Sequence, residues 1–267
     1  MCELFGMSSE QPISARSPLS LFGMRGGETA DNPDGWGLAY VEGDAFAIHK
    51  APEAAARSAV FTKIAEQIHS RLIIAHVRKA NPPTAHTLEN THPFMRTCCG
   101  RSWVFAHNGQ VPEVVALQGC CHPRHSHPEG ETDSEHAFIY LLEEIAGTFP
   151  ATFQGPPPEM TEGWLETLAL RSAAIAVYGQ FNFLLTDGEH LIAYGHDRLY
   201  SQQRSEGGVA SVLIASAPLP DDEPWEAFAP DELRVYRGGQ LLGRWSASMN
   251  SGTAKMCSRS ISQAKWP

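Results

Sequence analysis

The chain of 267 residues carries 20 lysines and arginines against 30 aspartates and glutamates, which gives a formal charge of −10. Hydrophobic residues make up 42% and charged residues 19%, a globular composition that excludes a disordered chain. The acidic balance argues against a nucleic-acid partner, which needs a basic face. No apolar run reaches the roughly 18 residues that cross a membrane. We therefore expect neither nucleic acid nor membrane among its partners.

Six cysteines are present, four of them in two adjacent pairs, Cys98-Cys99 and Cys120-Cys121. Neighbouring cysteines rarely bridge each other without strain, so this pattern does not indicate a disulfide framework. The first residues also lack the basic stretch and apolar core of a secretory signal. We therefore expect a reduced, cytoplasmic protein.

Strands and helices are mixed in the first two thirds of the chain. Apolar runs predict strands at residues 3–7, 38–41, 45–49, 72–75 and 103–106. Glu42-Gly43-Asp44 separates the second and third of these as a hairpin turn. Apolar residues at helical spacing predict helices around residues 60–68, 138–145 and 165–175.

The last third is rich in hairpins. Asp187-Gly188 separates predicted strands at 181–185 and 190–194, and Gly238-Gly239 separates strands at 233–236 and 240–242; a further strand is predicted at 209–215. Frequent hairpins favour largely antiparallel sheets with helices packed outside them, an α+β fold. We expect one domain over residues 2–245, followed by a flexible tail over residues 246–267.

Cys2 is the first candidate for chemistry. A small residue at position two usually allows removal of the initiator methionine, after which Cys2 carries both a thiol and a free α-amine. The reference pKa values are about 8.5 for the thiol and about 7.7–8.0 for the amine, so the amine can take the thiol proton near neutrality. A nucleophile activated by its own N-terminal amine suits amide cleavage. The alternative is an ordinary buried cysteine at the start of a strand.

Two motifs follow predicted strands. In Ala106-His107-Asn108-Gly109, the Asn108 amide and the Gly109 N–H are candidate donors to an oxyanion, although an ordinary Asn-Gly turn is the alternative. In Ala75-His76-Val77-Arg78, the Arg78 guanidinium fits a carboxylate with two hydrogen bonds. A surface salt bridge is the alternative for Arg78.

Three polar segments complete the set. Asn32-Pro33-Asp34-Gly35-Trp36-Gly37 is a turn entering a strand, and its glycines permit close backbone approach. Asn90-Thr91-His92-Pro93-Phe94 is a polar loop. Thr132-Asp133-Ser134-Glu135 has the spacing of a capping box at the start of a helix, where Asp133 is also a candidate for holding a cationic amine.

Together these residues form a complete set for one substrate type. Cys2 supplies a nucleophile, Asn108 and Gly109 supply oxyanion donors, Arg78 fits a carboxylate and Asp133 fits an ammonium group. The set is typical of a site for an α-amino acid with a cleavable side-chain amide.

In their order and rough spacing, these motifs and the opening Met1-Cys2-Glu3-Leu4-Phe5-Gly6 resemble the class II glutamine amidotransferases, which are N-terminal-nucleophile (Ntn) hydrolases. The similarity is closest to short, stand-alone members and covers most of the chain. It implies a four-layer αββα sandwich with two mainly antiparallel sheets.

The resemblance also implies roles for single residues. Cys2 becomes the nucleophile, with its own amine as general base, and Asn108 and Gly109 form the oxyanion hole. Arg78 and Asp133 contact the carboxylate and amine of glutamine. Two histidines from the same motifs, His76 and His92, are further candidates for substrate contact.

The expected reaction releases ammonia and glutamate from glutamine through a γ-glutamyl thioester, with no cofactor and no metal. We see no room for a synthase domain, so a separate ammonia-accepting synthase is a candidate partner. A second hypothesis is another γ-glutamyl or acyl amide as substrate, because residues 79–83 depart from the family's pattern. A third is a non-catalytic regulatory module, or a metal-binding one using cysteines and histidines of residues 98–99 and 120–127, whose spacing matches no standard zinc pattern.

Overall fold

The computed structural model describes residues 1–81, 85–115, 127–147, 161–221 and 223–246. In these ranges the helices are α1 (Arg16–Met24), α2 (Ala59–Gln67), α3 (Asp133–Gly147) and α4 (Glu162–Ala176). The strands are β1 (Glu3–Ser14), β2 (Gly35–Glu42), β3 (Ala45–Ala51), β4 (His69–Arg78), β5 (Phe94–Cys98), β6 (Arg101–Gln110), β7 (Gln180–Thr186), β8 (His190–Gly195), β9 (Tyr200–Glu206), β10 (Val209–Ala215), β11 (Glu226–Ala227), β12 (Glu232–Arg237) and β13 (Gln240–Ser246).

The strands form two sheets. The first has the order β11-β9-β10-β1-β4-β2-β3 and the second has the order β13-β12-β8-β7-β6-β5. Every pairing in both sheets is antiparallel. The predicted hairpins of β2 with β3, β7 with β8 and β12 with β13 are all present.

Alternation along the strands builds the layers, because successive side chains point to opposite faces of a sheet. In β1, Leu4 packs between the two sheets, whereas Phe5 faces Phe22 of α1. In β6, Val104 packs between the sheets and Phe105 stacks on Phe138 of α3 at 5.0 Å between ring centroids. Full burial of each such side chain contributes about 1.5–3 kcal/mol.

The layer order is therefore helices α1 and α2, the first sheet, the second sheet, and helices α3 and α4. This confirms the predicted α+β, four-layer αββα sandwich. The three predicted helices are present as α2, α3 and α4, and the predicted strands are present, several of them longer than expected. Helix α1 and strands β5, β9 and β11 were not predicted. All of the predicted tail except Ser246 lies outside the described residues.

Gly37 of β2 lies where the backbone of another segment crosses the first sheet. A Cβ atom at this position would lie 1.8 Å from the carbonyl oxygen of His92, which is backbone and cannot rotate away. The close approach anticipated for the glycines of residues 32–37 is thus present in the fold. It holds the His92 segment against the end of the sheet that carries the site described below.

Replacing Gly37 by alanine should lower the free energy of unfolding by about 1–3 kcal/mol, the usual cost of overpacking, because neither backbone can yield. Urea denaturation measures this loss. The matched control is Gly163→Ala in α4, where the new Cβ would meet no heavy atom within 4 Å other than those of its chain neighbours and its own helix backbone. This control should be neutral or stabilising; similar losses in both variants would contradict the packing argument.

Candidate active site

A cavity of about 330 Å³ lies where the N-terminus meets the ends of β4 and β6. Its lining includes Cys2, Arg78, His92, Gly109 and Asp133. These residues come from the N-terminus, β4, the segment before β5, β6 and α3. The volume is at the lower end of the roughly 300–1,000 Å³ found for small-molecule sites.

The register of β1 against β4 positions Cys2. Glu3 pairs with Val77 and Leu4 with His76, so the next position outward sets Cys2 opposite Arg78. The Cys2 Sγ accepts a hydrogen bond from the backbone N–H of Lys79 at 3.2 Å and lies 3.3 Å from the Lys79 carbonyl oxygen. Lys79 can therefore accept a hydrogen bond from the Cys2 thiol through its carbonyl oxygen, or donate one to the Cys2 thiolate through its N–H.

Burial raises the pKa of the Cys2 thiol above its ordinary value. The Lys79 N–H, the positive charge at the chain's N-terminus and the Arg78 guanidinium act in the opposite direction, because each favours the thiolate. Burial is the largest of these effects. The thiol therefore stays protonated at neutral pH unless a nearby base takes its proton.

Arg78 is 4% exposed, and hydrogen bonds fix the orientation of its guanidinium group. Nη1 and Nη2 both donate to the carbonyl oxygen of Ala85 at 3.3 Å. Burial lowers the pKa of Arg78, and Cys2 in its thiolate form and the Asp34 carboxylate act in the opposite direction. A guanidinium that lines the cavity in a fixed orientation is suited to a planar anionic group.

Two carboxylates hold the turn that follows β4. Asp34 accepts the N–H of Ala80 at 2.8 Å through Oδ2, and its own N–H donates to the Arg78 carbonyl oxygen at 3.0 Å. Asp31 accepts from Lys79 Nζ at 2.5 Å. The Lys79 N–H that faces Cys2 is therefore fixed from the loop before β2, a contribution of Asp34 that was not anticipated from the sequence.

Asp133 begins α3 and is anchored to the end of β6. Its Oδ2 accepts the N–H of Val111 at 2.6 Å, and Oδ1 accepts the N–H of Ser134 at 2.8 Å. Oδ1 also accepts from the Ser134 hydroxyl at 3.4 Å. A carboxylate oxygen has two lone pairs, so Oδ2 retains capacity to accept from a ligand. The carboxylate lines the cavity with a fixed direction.

The capping box is present only in part. Thr132 Oγ1 accepts the N–H of Glu135 at 3.2 Å, as predicted. The buried Glu135 carboxylate does not return to Thr132: it accepts the N–H groups of Glu129 and Gly130 and pairs with Arg96. The second hydrogen bond of a capping box, from the Thr132 N–H to the Glu135 carboxylate, is therefore replaced by bonds from Glu135 to donors in the preceding loop.

Asn108 and Gly109 are adjacent in β6 but differ in exposure. Asn108 is 1% exposed, and its Nδ2 has no hydrogen-bond partner within the described ranges. Gly109 has φ +149°, and a Cβ there would lie 1.9 Å from the Gln180 carbonyl oxygen, so only glycine fits. A buried amide donor without a partner is costly and is commonly found where a ligand completes it.

Three buried histidines lie at the cavity: His92 and His107 are part of its lining, and His76 lies behind it. His76 and His92 are stacked with ring centroids 4.2 Å apart, and His76 Nε2 contacts the His107 carbonyl oxygen at 3.1 Å. His107 Nδ1 contacts Ser134 Oγ at 2.8 Å. Neither ring nitrogen of His92 has a partner among the residues that the structure describes.

Burial keeps these rings neutral. It lowers the pKa of His76 to about 3 and that of His92 well below its usual value. It also lowers the pKa of His107, although the nearby Asp133 carboxylate acts in the opposite direction. Neutral rings are suited to hydrogen bonding but add no positive charge to the cavity at neutral pH.

Five of the seven site residues singled out from the sequence thus line one cavity. His76 and Asn108 are the exceptions, because both are buried behind it rather than lining it. Sequence analysis gave no role to the Lys79 N–H or to Ser134, because their contacts depend on backbone positions that only the fold defines.

The metal-binding hypothesis finds no support in the part of the chain that is described. No group of three or more histidine, cysteine or acidic side chains in these ranges is arranged to hold a metal ion. Cys120, Cys121, His122 and His125 lie outside them. No described helix combines the length and apolar character needed to cross a membrane.

Comparison with known proteins identifies the family of this chain. The model of the family "Glutamine amidotransferases class-II" matches residues 1–208. The chain belongs to the class II glutamine amidotransferases. The Escherichia coli (strain K12) protein YafJ is 32% identical over 264 residues, covering 91% of this chain and 100% of YafJ.

Other relatives are similar to this chain to different degrees. The γ-glutamyl-hercynylcysteine sulfoxide hydrolase of Mycobacterium tuberculosis (strain H37Rv) is 25% identical, covering 73% of this chain and 71% of its own. The crystal structure of a predicted glutamine amidotransferase from Pseudomonas aeruginosa PA01 has a TM-score of 0.65 and 29% identity, covering 91% of this chain and 100% of that one. Glutamine phosphoribosylpyrophosphate amidotransferase from B. subtilis, at 17% identity, shares the fold: its TM-score is 0.68, with 93% of this chain and 50% of that one covered.

The buried histidines make the stability of this protein depend on pH. In the unfolded chain each ring binds a proton as pH falls through about 6.5, whereas the folded rings stay neutral until far lower pH. Stability should therefore fall as pH falls below 6.5. His92→Phe should remove about 1.4 kcal/mol of the loss between pH 7.5 and 5.5.

Urea denaturation at several pH values measures this effect. His92→Gln is the matched control, because it also removes the titrating group but keeps a polar side chain. Both variants should show a shallower pH dependence than the original protein, whatever their absolute stability. An unchanged slope in both would contradict the neutral, buried state of His92.

Proposed function

We propose that this protein hydrolyses the side-chain amide of glutamine, with the Cys2 sulfur as the nucleophile. The observation that supports this most is the placement of Cys2, Arg78 and Asp133 around one cavity. A thiol, a cation and a carboxylate in that arrangement are complementary to the amide, the α-carboxylate and the α-ammonium of one amino acid. Membership of the class II family agrees with this substrate.

Activation of Cys2 requires a base, because burial favours the protonated thiol. In the chain that still carries Met1, the nitrogen of Cys2 is an amide and cannot accept a proton. Removal of Met1 turns that nitrogen into an amine with a pKa near 7.7–8.0, which can take the thiol proton. The Lys79 N–H, 3.2 Å from Sγ, stabilises the resulting thiolate.

The first half of the reaction forms a thioester. The Cys2 sulfur bonds to the amide carbon, and the oxyanion that develops accepts hydrogen bonds from Asn108 Nδ2 and the Gly109 N–H. The C–N bond then breaks, and the protonated α-amine gives its proton to the departing nitrogen, which leaves as ammonia. The unpaired state of Asn108 Nδ2 supports this role, since the oxyanion would complete its hydrogen bonding.

The second half returns the enzyme to its starting state. The α-amine, now neutral, takes a proton from water while the water oxygen bonds to the thioester carbon. The same donors hold the second oxyanion. The C–S bond then breaks, the protonated α-amine returns its proton to the Cys2 sulfur, and glutamate leaves. Arg78 and Asp133 hold the amino-acid end of the substrate through both halves, so the acyl group stays oriented.

A second candidate is hydrolysis of a γ-glutamyl amide larger than glutamine. The observation that favours it is the similarity to the Mycobacterium tuberculosis γ-glutamyl-hercynylcysteine sulfoxide hydrolase. The chemistry at Cys2 would be the same, and only the leaving amine would differ. Competition between glutamine and a panel of γ-glutamyl amides separates the two, because the preferred substrate will have the higher kcat/KM.

Cys2→Ala should reduce glutamate release from glutamine by roughly a thousandfold or more, since no other group replaces the nucleophile. A coupled glutamate assay on protein whose intact mass shows loss of Met1 measures this. Cys2→Ser is the matched control for shape, and it should also be strongly impaired because the hydroxyl is a weaker nucleophile. Equal turnover by the original protein and Cys2→Ala would refute the proposal.

Protein that retains Met1 should be inactive, and methionine aminopeptidase should restore activity in proportion to the Met1 removed. Intact mass and glutamate release from the same samples test this. Cys2→Ala treated in the same way controls for activity brought in by the peptidase. Activity that is independent of the fraction processed would contradict the role of the α-amine as base.

Arg78→Lys and Asp133→Asn should each raise KM for glutamine by roughly 10- to 100-fold, because a hydrogen bond to a charged group contributes about 1.5–3 kcal/mol. Steady-state kinetics separate this from kcat, which should change less. Arg16→Lys is the control, because Arg16 is exposed and pairs with Glu66 away from the cavity. An unchanged KM in both site variants would contradict their assignment to the amino-acid end.

A further inference from the structure

Cys98 and Cys99 lie at the turn between β5 and β6, away from the residues that line the cavity. Their sulfur atoms are 2.9 Å apart. Cys98 pairs with Arg101 across the hairpin, so Cys99 and Gly100 form its two-residue turn. Their φ values of +55° and +72° are those of a tight hairpin turn, and this backbone brings two consecutive side chains together.

The two thiols differ in exposure. Cys98 is 5% exposed and packs in the core between the second sheet and α3, where its Sγ lies 3.9 Å from the Leu142 carbonyl oxygen. Cys99 is only half-buried, and the neighbouring Gly100 is exposed. Burial and the neighbouring Cys99 raise the pKa of Cys98. A reagent from solvent therefore meets Cys99 first.

We propose that Cys98 and Cys99 form a reversible oxidation site, in which a hydroperoxide converts the pair to a disulfide between adjacent residues. The Cys99 thiolate bonds to the terminal peroxide oxygen and the O–O bond breaks, which leaves a sulfenic acid and an alcohol or water. The Cys98 sulfur then bonds to the Cys99 sulfur. The sulfenic hydroxyl leaves with the Cys98 proton as water. Two thiols have lost two electrons, and the peroxide has gained them.

The product should be easy to reduce. Adjacent Cα atoms are about 3.8 Å apart across a trans peptide, whereas disulfides usually join Cα atoms about 4.4–6.8 Å apart. The bond is therefore strained, and strained disulfides have more oxidising potentials than structural ones. The site suits a reversible modification rather than a permanent cross-link.

Peptide mapping of the intact protein tests the proposal. Trypsin cuts after Arg96 and Arg101, so residues 97–101 (TCCGR) form a peptide that contains both thiols and no other cysteine. The second adjacent pair, Cys120-Cys121, falls in the following peptide and serves as the internal control. The protein is treated with a small excess of hydrogen peroxide, alkylated with iodoacetamide and digested.

After oxidation, the 97–101 peptide should be two hydrogen atoms lighter than its dithiol form and should carry no alkyl groups. When the oxidised protein is treated with reduced glutathione before alkylation, the peptide should carry two alkyl groups. It should oxidise at lower peroxide than the Cys120-Cys121 peptide. Cys98→Ser should trap Cys99 as a sulfenic acid that reacts with dimedone, whereas Cys99→Ser should leave Cys98 reduced.

Three results would overturn the proposal. One is a 97–101 peptide that is still doubly alkylated at a peroxide concentration that already oxidises Cys120-Cys121. Another is accumulation of sulfinic or sulfonic acid on Cys99 while Cys98 is alkylated. The third is a disulfide from either residue to a different cysteine. Because the first measurement uses the unaltered protein, the proposal stays testable even if a serine variant fails to fold.

Discussion

The register of β1 against β4 sets residue 2 opposite residue 78, and the geometry of the site depends on it. From this pairing follow the contact of Cys2 with the Lys79 backbone and the position of the Arg78 guanidinium at the cavity. A shift by one residue would turn Cys2 to the opposite face of the sheet. Packing resists that shift, because Leu4 and Phe5 fill separate cores on the two buried faces of this sheet.

The space between the sheets changes character along its length. It is apolar where Leu4 meets Ile74, and it becomes polar at the cavity, where His76, His92 and Asn108 are buried. Several of their nitrogen atoms lack partners within the described ranges, and each such group costs about 1–3 kcal/mol. The fold offsets this cost with the core on either side, a pattern that is common where a protein binds a ligand.

Much of this arrangement could be predicted from the sequence, and the misses have physical causes. The hairpins were predictable because turn pairs such as Asp187-Gly188 have strong local preferences. Helix α1 was missed because Pro18 and Gly23 obscure its pattern, and β9 because its sequence YSQQRSE is largely polar. The site residues could be proposed from motifs, but the Lys79 contact with Cys2 joins positions 77 residues apart, and local preferences do not encode it.

The central claim is that the Cys2 sulfur carries the glutamyl group during turnover. Rapid acid quench of the processed protein mixed with glutamine, followed by intact mass and peptide mapping, tests it most directly. A glutamyl adduct on the N-terminal peptide should appear within one turnover, disappear as glutamine is consumed and be absent from Cys2→Ala. An adduct on another residue, or turnover by Cys2→Ala without an adduct, would contradict it.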